Sequence, residues 1–187
     1  MGVDNHEVVS IYPFSAEDRE RLLTNAGECV LNWCTKDEWP VGVIMSFLWA
    51  KGSFWVTAGM HRHRISAMRR NPKVSIVVSG SCNPAGCPPG TITAKGLAVI
   101  HEDREIKDWF YPAFAGRNPD KEAAKRFEAQ LDSPLRVVIE VKPTKWIEFD
   151  QAKFGLDAIG ELPDEAKGPM HSADSERMPA ALKKLGL

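Results

Sequence analysis

The sequence predicts a mainly β fold with helices attached, built as an antiparallel barrel and not as a doubly wound sheet. Three observations carry that prediction. Phe54 and Val56, then Val74, Ile76 and Val78, repeat with the two-residue period of half-buried strands. The strand-like runs follow one another without the βαβ alternation that a parallel sheet requires. Helical patterns are confined to the start of the chain, a short basic connector and one insert. Seven runs read as strands; six are assigned and the seventh is left open.

Taken in order, residues 1–13 have no clear period and read as an extended lead-in. Ser15 followed by Asp18 marks a helix start, and Leu22 and Leu23 supply the apolar face of a helix over 16–24, closed by Asn25 and Gly27. Residues 28–35 put Cys29, Leu31 and Trp33 on one face and suit a strand covered on both sides. A turn over 36–40 leads to a strand at 41–49, and Ala50-Lys51-Gly52 is short enough to be a hairpin into 53–57. After the connector, a strand over 73–78 reaches a loop at 79–90 rich in Gly, Pro and Ser. Residues 91–100 resume the sheet around Gly96, where a strand glycine marks a bulge or a close approach. Ile106, Trp109, Phe110 and Phe114 form the aromatic face of a helix. Asn118-Pro119 reads as the start of another, with the asparagine as cap. Strands over 136–141 and 145–149 follow, broken by Pro143. Beyond Gln151 a tail rich in Gly, Pro and charge is expected to pack loosely and to reach toward a partner subunit.

The chain has 187 residues, of which 43% are hydrophobic, enough for one buried core. One domain over 1–187 is expected, with a core at about 14–150 and a tail at 151–187. A formal net charge of -1 argues against a nucleic-acid partner, which would need a basic excess across a face. The start of the chain shows no leader and no run is long enough to span a bilayer, so a cytoplasmic protein is expected. Cys29, Cys34, Cys82 and Cys87 are too few for a disulfide scaffold and read as free thiols. His61, His63 and His101 lack companions at a zinc-like spacing, so no metal site is expected.

The connector stands out against this near-neutral background. His61, Arg62, His63, Arg64, Arg69 and Arg70 crowd between two strands, with Lys73 just beyond. Ile65 and Met68 are spaced to anchor a short helix that Asn71 and Pro72 stop. Arginines beside the free N–H groups of a helix start make a phosphate site, since guanidinium offers forked donors and the helix end adds partial positive charge. A solvated basic turn is the alternative.

This order of elements, with its basic connector, Asn-Pro-Lys-Val-Ser segment and later Gly-bearing strand, resembles the pyridoxamine 5'-phosphate oxidase-like family of flavin-binding proteins over about 14–150. The resemblance implies a six-stranded antiparallel split β-barrel with flanking helices. It also implies FMN bound at the interface of a homodimer. The ring-facing strand falls on Val41, Gly42, Val43, Ile44, Met45 and Ser46. The strand-end pair falls on Val56 and Thr57, the phosphate pair on His63 and Arg64, and a polar cofactor contact on Thr91. One extra residue lies between Thr57 and Asn71. The vitamin oxidases of the family carry basic residues at both ends of the ring-facing strand, where this chain has Val41 and Ser46, and they end in a motif that KKLGL does not match. Oxidation of the vitamin is therefore not expected.

No acid, base or nucleophile motif stands out, so the catalytic residues are unknown, and a cofactor that carries the chemistry does not require one. The resemblance implies an FMN-dependent oxidoreductase moving hydride to or from a small organic substrate. A deazaflavin reductase and a non-catalytic flavin- or haem-binding module are the alternatives. Met45, Trp49 and Trp109 or Phe110 are expected to border an apolar substrate pocket.

Overall fold

The computed structural model describes residues 7–81 and 86–186. Its centre is a curled, fully antiparallel sheet of seven strands in the order β2-β1-β5-β6-β7-β4-β3. The strands are β1 (Glu28–Cys34), β2 (Pro40–Ser46), β3 (Leu48–Ala50), β4 (Ser53–Gly59), β5 (Lys73–Ser79), β6 (Gly90–His101) and β7 (Arg136–Asp150). Helices α1 (Ala16–Asn25), α2 (His63–Arg70), α3 (Arg104–Ala115), α4 (Lys121–Leu131), α5 (Gln151–Ala158) and α6 (Met178–Lys184) flank it. The split barrel is thus present, and its seven strands equal the seven strand-like runs in number while two local features move where they begin and end.

The predicted strand at 41–49 divides at Phe47, which is fully buried and turns the chain between β2 and β3. The two last predicted strands are instead one. Pro143 does not break β7, because it faces Gly96 where the β6–β7 register slips between Lys95 and Gly96. A proline costs no ladder bond at an irregularity. A side chain at position 96 would meet the Lys142 carbonyl oxygen at 2.7 Å, so the slip also needs glycine there. Lys51 and Gly52 take φ of 54° and 70°, the left-handed pair that a two-residue hairpin between β3 and β4 requires.

The sheet packs on both faces. Inside the curl, Phe54, Val56 and Ala58 of β4 and Val137, Ile139 and Val141 of β7 join Leu22 and Leu23 of α1 and Ile65 and Met68 of α2. Outside it, Trp55 and Val138 meet Phe110, Tyr111, Phe114 and Leu131 of α3 and α4. Ser15 caps α1 as expected, but α4 begins at Lys121 with Asp120 as its cap, not Asn118. The carboxylate of Asp120 accepts from Glu122 and Ala123 N–H, and Asn118 instead steadies Asp120 N–H. Among the described residues, no helix is long and apolar enough to cross a membrane.

The tail differs from expectation. From α5 onward it is held to the lead-in of its own chain: Tyr12 donates to Asp157 at 2.6 Å, Gly168 N–H to Ile11 O at 2.8 Å and Ser10 N–H to Asp174 at 3.1 Å. Lys153 bridges the Pro13 and Ala166 carbonyls, and Lys167 pairs with Asp157 at 2.8 Å. Cys29, Cys34 and Cys87 are free thiols, and burial pushes that of Cys29 up to about 12, out of reactive range. Cys82 lies outside the described residues.

Candidate functional site

Where β4 ends, the chain turns through Met60–Arg62 into α2, and the start of β7 runs alongside. Gly59 stands opposite Arg136 and Thr57 opposite Val138 in the β4–β7 ladder. Because successive side chains alternate, Thr57, Gly59 and Arg136 share the outer face while Val56, Ala58 and Val137 turn into the core. Two adjoining hollows open there and share Thr57, Arg64 and Arg136. One, of about 340 Å³, is mixed, lined by apolar groups of Ile44, Met45, Phe114, Phe127 and Leu131 and by Ser46, Thr57, Gln130, Arg64 and Arg136. The other, of about 260 Å³, is basic, lined by His61, Arg62, Arg64 and Arg136 together with Ser133.

The charge in the basic hollow is uncompensated. No carboxylate lines either hollow, and among the described residues none of Arg62, Arg64 and Arg136 makes an ion pair. Other arginines of the chain do: Arg19 is held by Glu148, Arg69 by Glu102 and Arg104 by Asp108 and Asp132. Among the described residues, Arg64 has the Met45 sulfur at 3.7 Å and the Trp33 ring at 5.8 Å. Desolvation, with Arg62 adding repulsion, lowers its pKa from the ordinary arginine value.

Helix α2 aggravates the imbalance. Side chains of Ser15, Asp103, Asp120 and Asp150 cap α1, α3, α4 and α5. The N-cap of α2 is Arg62, which makes no side-chain cap bond, and the first turn holds no acid. Cations at the positive end of a helix are unfavourable by a few tenths of a kcal/mol to about 1 kcal/mol each. An anion set among them would relieve both the helix end and the guanidinium groups.

The structure brings together part of the predicted site. Ile44, Met45, Ser46, Thr57 and Arg64 line the hollows. Val41, Gly42 and Val43 lie further along β2 and do not. Val56 is fully buried toward the core, which leaves only its backbone available. His63 is exposed at the start of α2 and lines neither hollow, whereas His61 does. Thr91 pairs with Phe149 at the other end of β6 and β7, remote along both strands from Arg136. The Thr57 hydroxyl donates to Val137 O at 2.8 Å, which leaves its lone pairs and not its proton for another group.

The expected aromatic wall is replaced. Trp49 packs on Phe54 and Trp146 and donates to Glu20, and Trp109 meets Trp55 and Phe110 edge to face. Phe114 and Phe127 take their place beside Met45.

A model of the pyridoxamine 5'-phosphate oxidase family matches residues 17–150, nearly all of the sheet and both hollows. The chain belongs to this family. No curated protein matches it. Among solved structures, a conserved hypothetical protein of Mycobacterium tuberculosis superposes with a TM-score of 0.67 at 17% identity, covering 79% of this chain and 91% of its own. A FAD-binding protein of Mesorhizobium loti gives 0.52 at 19% identity, covering 72% and 92%. An F420 reductase gives 0.50 at 22% identity, covering 68% and 94%. At these identities the likeness is one of fold. The family includes flavin- and deazaflavin-binding members.

Proposed function

We propose that this chain is an FMN-dependent oxidoreductase that works as a homodimer and moves hydride to or from a small, largely apolar organic molecule. The observation that carries the reading is the basic hollow: cations gathered at a helix start without a side-chain cap, with no carboxylate in its lining, next to a hollow lined in part by apolar side chains. Arg64, Arg62 and the first amides of α2 would hold the phosphate. Ile44, Met45 and Ser46 would lie against the ring. The flavin supplies the hydride acceptor and donor when bound. The chain's own part is to bind, to orient and, through Phe114, Phe127 and Leu131, to keep water from one side.

A second copy is part of the proposal. Strand β2 pairs only with β1 among the described residues, and Ile44 on it is 70% exposed beside the hollow. An open sheet edge with an exposed apolar side chain favours a covering partner. A deazaflavin coenzyme is the second reading, favoured by the fold shared with the F420 reductase.

Titration of the apoprotein with FMN, followed by flavin fluorescence, tests the assignment. Arg64→Ala should weaken binding by about 1.5–3 kcal/mol, the worth of a hydrogen bond to a charged group. An unchanged affinity in a folded variant removes Arg64 from the phosphate site. A visible spectrum of the purified protein separates flavin, deazaflavin and haem.

A further inference from the structure

Arg136 belongs to no motif of the connector and sits more than sixty residues beyond it. Its position is nonetheless fixed tightly. Its backbone N–H donates to Ser133 O at 2.9 Å, and the N–H of Met60 donates to Leu135 O at 2.7 Å, so the start of β7 is tied to the turn that enters α2. Opposite it stands Gly59, which has no side chain to fill the space above the ladder; even a Cβ there would meet the His61 ring at 2.7 Å.

The guanidinium Nε is buried and, among the described residues, has no hydrogen-bond partner, as is also true of Trp109 Nε1 and the Tyr111 hydroxyl. Such an omission costs about 1–3 kcal/mol, so native proteins rarely leave one without a purpose. Asp132, four residues earlier, does not answer it, because that carboxylate takes Arg104 at 2.6 Å. Like Thr57 and Arg64, Arg136 lines both hollows.

The geometry points to Arg136 as a third cationic ligand of the phosphate cradle, placed to grip a terminal phosphomonoester from the β7 side while Arg64 grips it from α2. The inference rests on the anion cradle proposed above. Three guanidinium groups on separate segments, β7, α2 and the turn before it, surround a tetrahedral dianion better than a linear pair, because each fork reaches a different oxygen. Neutral riboflavin has nothing for Arg136 to hold, so the residue would set the preference for the phosphorylated flavin.

The test compares wild type, Arg136→Gln and Arg136→Lys for FMN and riboflavin affinity, and for the thermal shift given by inorganic phosphate against chloride at equal ionic strength. FMN dissociation constants should rise about 10- to 100-fold in Arg136→Gln, with partial recovery in Arg136→Lys, the span expected for a charge-assisted hydrogen bond. Riboflavin affinity should not change, and phosphate should stabilise wild type but not Arg136→Gln. Equal loss for FMN and riboflavin, or no loss for FMN, overturns the assignment. If no flavin binds wild type while phosphate still protects it through Arg136, the flavin reading falls and the Arg136 assignment stands. If neither flavin nor phosphate binds wild type, both fall.

Discussion

Strands β4 and β7 carry charge at both ends of their shared outer face, and the two ends handle it differently. Toward the β3 hairpin, Glu140 is 8% exposed and fully engaged: Ser53 donates to one oxygen at 2.9 Å, and His101, stacked on Trp55, lies 3.1 Å from the other. Toward α2, Arg136 and Arg64 are partly withdrawn from water with no anion beside them. Burying a charge is tolerable when its partners are built in, and the Glu140 end meets that condition within the chain. The arginine end does not, and the phosphate proposed above would complete it. The comparison teaches how to tell a structural ionic site from a binding one on the same two strands.

The contrast can be broken most forcefully at Glu140. Glu140→Ala strips Ser53 and His101 of a shared partner in a closed environment, and should cost about 3 kcal/mol of stability in urea unfolding. Loss of less than about 1 kcal/mol, within the range of surface changes, would put this end in the same class as the other. A middle case is Thr57→Val, which removes the bond to Val137 O yet keeps the shape and the β preference. It should cost about 0.5–1.5 kcal/mol, with FMN affinity changed less than by Arg64→Ala. The smallest effect has the opposite sign. Arg64→Gln in the apoprotein relieves repulsion from Arg62 and the helix end, and should raise stability by about 0.5 kcal/mol while weakening FMN binding, the usual opposition of stability and function. A destabilised apoprotein would mean that Arg64 has a structural partner after all.

Much of the scaffold was legible in the sequence because its signals are local. Ser15 and Asp18 announce α1, Lys51-Gly52 announces the hairpin, and alternation in Val74, Ile76 and Val78 announces β5. Reading failed where a distant element decided the outcome. Pro143 looks like a strand break until the slip at Gly96 in a neighbouring strand accommodates it. Asn118-Pro119 looks like a helix start, yet the carboxylate of Asp120 reaches the first amides of α4 and sets the cap. The candidate site was half legible for the same reason. Arg64 and Thr57 flank one connector and could be found together, whereas Arg136, Phe114 and Phe127 enter through the fold. No spacing in the sequence links an arginine at the head of β7 with a loop some seventy residues earlier. Thr91, near the start of the twelve-residue β6, is not brought to these hollows within one chain.

The bonds between the tail and the lead-in have a consequence for how the molecule opens. Among the described residues, 10–13 and 153–174 hold each other through five hydrogen bonds, and Tyr12 O also accepts from Asp150 N–H at the junction of β7 and α5. Neither segment can lift away while the other stays ordered. Hydrogen exchange therefore belongs to the pair as one cooperative unit, with a free energy of its own below that of the barrel. The phenol of Tyr12, raised to about 12 by burial and by its bond to Asp157, is the alkaline lock on that unit. Below pH 10.0, the ordinary value for the phenol, its protonated form contributes in full; the contribution fades as pH rises toward 12, so the two ends of the chain would come apart together before the barrel does.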